Sequence, residues 1–95
     1  MENLAVFSGE SLLIRGFTYR YMRALKREAG VAEFEPLAAE ATARLSIEGI
    51  HRLRETLKRE RDRCRESGQD SLADSLTTAI RVLDSRAQIL DDLLH

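Results

Sequence analysis

The chain has 95 residues, 43% hydrophobic and 33% charged, with three Phe, two Tyr, no Trp and one cysteine. Fifteen Lys and Arg against sixteen Asp and Glu leave a formal charge of −1, which excludes a uniformly basic nucleic-acid coat but not a local basic patch. The lone cysteine excludes an intrachain disulfide, and the N-terminus lacks a secretory signal pattern, so a cytoplasmic location is expected.

Residues 1–10 read as a short N-terminal arm, an apolar lead at Leu4-Ala5-Val6-Phe7 followed by Ser8-Gly9. The spacing predicts a first helix over residues 11–29, capped by Ser8 or Ser11, with Gly30 as its exit. Leu13, Ile14, Phe17, Tyr21, Ala24 and Leu25 share one face of it. The opposite side carries Arg15, Tyr19, Arg20, Arg23, Lys26 and Arg27, and no acid four residues away neutralises them. Like charges this close repel, so this face is the candidate surface for a partner or an anion: an acidic protein surface, or nucleic-acid phosphate with Tyr19 stacking on a base or sugar. Phe34 is expected to anchor the connection over residues 31–35.

Residues 36–66 read as one long helix, with Pro36 at the first helical position and Ser67-Gly68 as the stop. Its stripe of Leu37, Ala41, Leu45, Gly49, Leu53 and Leu57 recurs every fourth residue, and Ala38, Ala39, Ala41 and Ala43 would allow close helix approach. At 1.5 Å per residue such a helix is about 46 Å long, against about 32 Å for the diameter of a compact domain of this length. Either the helix bends at Gly49, or the molecule is elongated and a second copy covers the protruding end; the second is favoured, because one glycine inside a helix costs only about 1 kcal/mol and need not break it.

Leu45-Ser46-Ile47-Glu48-Gly49-Ile50-His51-Arg52-Leu53 looks like the second helix of a helix-turn-helix motif. Aligned on Ser46 and Ile50, however, Arg44 stands where the turn normally has glycine, and Glu40 where a small residue is buried. Both departures argue for a continuous helix, and no functional residue is carried over. The alternating charges of residues 52–66 read as a solvated face laced by local pairs. Glu48 and His51 have a metal-ligand spacing but lack inward glutamates from other helices. Cys64 lacks a base, no nucleophile–base pair or phosphate loop is present, and neither an enzyme nor a cofactor or metal is expected.

A third helix is predicted over residues 71–94, with Asp70 or Ser71 as cap and Ser71 with Asp74 approximating a capping box. Leu72, Leu76, Ala79, Leu83, Leu90 and Leu93 or Leu94 follow a 4-3 spacing broken only at Arg86, where Ala87 fills in, and read as a coiled-coil-like seam or as the face of an ordinary bundle helix. Leu53, Leu57, Leu76, Leu83 and Leu90 are the expected core or dimer seam.

The expected fold is therefore all-α: a single elongated three-helix domain built on a long antiparallel helical hairpin. The expected function is that of a small adaptor, inhibitor or regulator acting through protein–protein contacts on helical surfaces, as a homodimer. The alternative is a nucleic-acid-binding regulator using the basic face of the first helix. No membrane partner is expected. Only Lys26 and Lys58 of the fifteen basic residues are lysine, a bias that suits a high-GC bacterial or phage genome.

Overall fold

The apolar stripes are helical, but four helices carry them where three were expected. A computed structural model describes residues 2–27 and 30–94, with side chains at 9–27 and 30–94. These residues form α1 (Glu2–Lys26), α2 (Val31–Arg44), α3 (Ile47–Glu66) and α4 (Asp70–Leu94).

The long helix over residues 36–66 is absent. The chain breaks at Leu45 and Ser46, both extended, and restarts with Ser46 as the N-cap of α3. The Gly49 N–H donates to Ser46 Oγ at 3.0 Å. The Ser46 hydroxyl in turn donates to Glu10 Oε1 at 2.6 Å, and the Ser46 N–H approaches Glu10 Oε2 at 3.4 Å. A carboxylate from α1 thus sits at the positive end of α3, where unpaired N–H groups and the helix dipole favour an anion. Leu45 and Ile50, each only 7% exposed, occupy the flanking positions of a hydrophobic staple.

Other boundaries move too. α1 is helical from Glu2, so Ser11 lies inside it and the backbone of residues 2–10 forms its first turns; the side chains of residues 4–7 lie outside the described residues. Gly30 is the N-cap of α2, not the exit of α1. Pro36 lies inside α2, where its missing N–H deprives the Ala32 carbonyl of a donor. Both residues are exposed, so water can serve that carbonyl. α4 begins at Asp70 itself, and the hydrogen bonds described include none joining Ser71 and Asp74 as a capping box.

The stop at Ser67-Gly68 is as expected. Gly68 adopts φ 78, its N–H donates to Arg65 O at 3.1 Å, and the Gln69 N–H donates to Cys64 O at 2.7 Å, the two bonds of a Schellman motif. α4 consequently returns along α3. Arg54 and Asp84, equally far from Gln69 on either side, meet across the pair at 2.8 Å.

α4 is the central element, packed most extensively on α3 and then α2. Ala38 and Ala41 on α2 and Ala73 and Ala79 on α4 are fully buried, and small side chains at both surfaces let the two helices approach closely. Leu53, Leu57, Leu76 and Leu83 are inaccessible, each contributing about 1.5–3 kcal/mol by burial. α1 closes the core with Ile14, Phe17, Tyr21, Ala24 and Leu25, and Tyr21 stacks on Phe34 with centroids 6.1 Å apart. Phe34 is the anchor expected of it, but from within α2.

The molecule measures 41 × 34 × 19 Å with a radius of gyration of 13.7 Å, against about 12 Å for a compact domain of this length. The elongated shape is overturned, and with it the case for a covering second copy that rested on a 46 Å spine.

Candidate functional site: the outward face of α1

Arg15, Tyr19, Arg23 and Lys26 recur at the three- and four-residue spacing of one helical face, and Leu12 extends that face by one turn. Buried Ile14, Phe17, Tyr21, Ala24 and Leu25 hold the other side of α1 against the core, so this ridge points to solvent. Tyr19 and Leu12 are each 64% exposed. The Arg23 guanidinium lies over the Tyr19 ring, 5.9 Å from its centroid. Arg15, Arg23 and Lys26 make no ion pair among the described residues.

Two of the six predicted residues are diverted. Arg20 pairs with Glu40 of α2 at 2.6 Å and lies over the Phe17 ring; Arg27 reaches Glu33 at 4.0 Å. The Arg20 hydrogen bond holds the Glu40 carboxyl below its ordinary range, and Glu40 raises the Arg20 guanidinium. Neutralising acids absent from α1 itself come from α2, which packing alone brings alongside. The free ridge is therefore narrower than the sequence suggests, and it includes Leu12, which periodicity could have found because that residue falls on the polar side of the stripe.

The predicted seam is not a surface. Leu53, Leu57, Leu76 and Leu83 are core, and Leu90 is half-buried in a groove between the start of α3 and the end of α4. That groove, about 460 Å³, is lined by Ile47, Ile50, Ala87, Leu90 and Leu94, with His51, Arg54 and Asp84 among its polar residues. Near it stand four of the molecule's exposed large apolar residues, Ile47, Ile89, Leu93 and Leu94. The sequence reading placed Leu90 and Leu93 or Leu94 in the core or dimer seam and did not single out Ile47 or Ile89.

A second, more open groove runs between α1 and α3. Arg15, Arg52 and Arg59 line it together with Glu48, Glu55 and His51. Arg52 pairs with Glu48 at 3.4 Å, and Arg59 bonds the Thr56 hydroxyl. Lower on α3, Lys58 meets Glu55 and Arg63 meets Glu60, the local lacing expected of this face. Cys64 is buried. Among the described residues, no three His, Cys, Asp or Glu side chains are placed to hold a metal ion, and no helix is long and apolar enough to cross a membrane.

Comparison with protein-family models, with curated proteins and with solved structures returned no match to this chain. The α1 ridge therefore has to be interpreted from its own chemistry. Three cations, a tyrosine and a leucine share that exposed helix face.

Proposed function

We propose that this protein is a small non-enzymatic adaptor, inhibitor or regulator of the cytoplasm that acts through protein–protein contacts on helical surfaces, as a homodimer. The observation that carries this reading is the α1 ridge: Leu12 and Tyr19 exposed among Arg15, Arg23 and Lys26, with no carboxylate paired to these cations among the described residues. Aromatic and arginine side chains are enriched where proteins meet, and solvent alone leaves such a surface unrewarded. Capture from the native cell with wild-type protein and with R15E/R23E/K26E tests it. Partners held by wild type and lost by the variant support the reading; identical captures would refute it.

A second reading is nucleic-acid binding through the same ridge, favoured by the convergence of Arg15, Arg52 and Arg59 on the α1–α3 groove. Glu48 and Glu55 in that groove oppose it by repelling phosphate. Titration against duplex and single-stranded DNA at low salt, where phosphate-driven association is strongest, decides: absence of binding there eliminates this second reading.

A further inference from the structure

We infer that the outward face of α1 receives one acidic amphipathic helix of another protein, packed close along the face with its carboxylates on Arg15, Arg23 and Lys26. The inference rests on the reading of the ridge as a protein-binding surface, and it names the element that the surface takes.

α1 carries two seams. One, made of Ile14, Phe17, Tyr21, Ala24 and Leu25, is buried in the core. The other is Gly9, Leu12, Gly16, Tyr19, Arg23 and Lys26, whose alternating steps of three and four residues are those by which one helix lies along another. All six are exposed, over about 26 Å of helix. The dipole of α1 accounts for Arg23 and Lys26 in its last turn, where cations are favoured. It accounts for neither Arg15, nor the exposed Leu12 and Tyr19, nor the glycines.

Gly16 selects a helix as the occupant. Inside a helix, glycine lowers the folded-to-unfolded ratio about fivefold relative to alanine. A Cβ added at Gly16 would meet nothing within 4 Å, and the same holds at Gly9, so the fold itself has no need of glycine at either position. At Gly49 the Glu10 carboxylate fills the corresponding space; at Gly16 it is open, one turn from Leu12 and from Tyr19. A missing side chain on an exposed face lets another backbone approach closely. Phosphate would be held by the cations and would use neither that floor nor Leu12. The charge of the partner follows from Arg15, Arg23 and Lys26, which make no ion pair among the described residues. Neither Arg15 nor any of the six seam residues is acidic, so a second copy of this face is not the complement.

The probe is a labelled synthetic peptide of three heptads, with leucine and alanine on its seam and glutamate on both flanks, titrated with the intact protein by fluorescence anisotropy. Expected is saturable binding at low salt that weakens as salt rises, since these charges are exposed. Affinity should fall at least about tenfold in R15E/R23E, where attractive contacts turn repulsive. It should fall at least about tenfold in G16L as well, whose side chain fills the floor. Urea unfolding checks the free protein: G16A should raise the folded-to-unfolded ratio about fivefold, and a loss of stability there would show that the fold requires this glycine and overturn the inference. No binding of the acidic peptide at low salt, equal binding of a peptide with lysine in place of glutamate, or G16L binding as tightly as wild type would each overturn it. Binding of duplex DNA in place of the peptide would do the same. The parent reading fails separately: partner captures lost in R15E/R23E/K26E but unchanged in G16L remove this inference alone, whereas captures identical in wild type and both variants remove the reading of the ridge itself.

Discussion

The Glu10 carboxylate accepts a hydrogen bond from the Ser46 hydroxyl at 2.6 Å, joining α1 to a residue 36 positions further along the chain. That contact stands where one helix becomes two. It also accounts for Gly49: a Cβ built there would lie 2.6 Å from Glu10 Oε1 and 2.8 Å from its carboxyl carbon. Glycine in the first turn of α3 leaves room for a carboxylate delivered from another helix.

A double-mutant cycle exposes that arrangement. In a Glu10→Ala background, Gly49→Ala should stabilise the protein by about 1 kcal/mol, the ordinary helix-propensity gain. In the wild-type background the same substitution should yield less, because the new methyl pushes Glu10 off Ser46. Urea unfolding of the four variants measures the difference, and equal gains in both backgrounds would show that Glu10 does not occupy this space.

Acid should weaken the fold through the same group and one other. Hydrogen bonds from Ser46 lower the Glu10 pKa, and the Arg20 guanidinium lowers that of Glu40, both from an ordinary value of 4.5. A carboxyl with a depressed folded-state pKa contributes stability that is fully present above the ordinary value and lost as pH falls through the depressed one. Thermal midpoints should hold down to about pH 5 and then decline. Glu10→Gln and Glu40→Gln should each flatten that decline; profiles superimposing on wild type would contradict the assignment.

Tyr21 is inaccessible, and its hydroxyl has no partner among the described residues. Burial raises its ionisation above the ordinary phenol value. An unsatisfied buried hydroxyl costs about 1–3 kcal/mol, so Tyr21→Phe, which keeps the ring on Phe34, should stabilise by about 1 kcal/mol. Differential scanning calorimetry should show a rise of about 4–8 °C. A fall of similar size would mean that the hydroxyl finds a partner in solution.

Gly68 occupies the left-handed region with φ 78, where an L side chain costs about 1–2 kcal/mol. Gly68→Ala should lower stability by about that much, and Gly68→Asn by less, since asparagine tolerates this conformation better. Chemical denaturation of the pair checks the order. Alanine no worse than asparagine would argue that strain at this turn is relieved elsewhere.

Helical class, the α3-to-α4 hairpin with its glycine stop, the buried faces of α1 and α4 and the cationic side of α1 were all legible in the residues, because each depends on neighbours three, four or seven positions away. A staple pattern, Leu45 and Ile50 around Ser46, was present in the sequence but outweighed by an unbroken run without proline. What periodicity could not contain was the carboxylate at the start of α3, supplied by Glu10 from another helix, or the pairing of Arg20 with Glu40. Chain breaks of that kind are decided by groups distant in sequence, since a helix end is stabilised by whatever anion reaches its free N–H groups, from any element the fold places there. Burial had the same dependence: Leu83 and Leu90 share a heptad pattern, and only the extent of the neighbouring helices left one in the core and the other at an uncovered end.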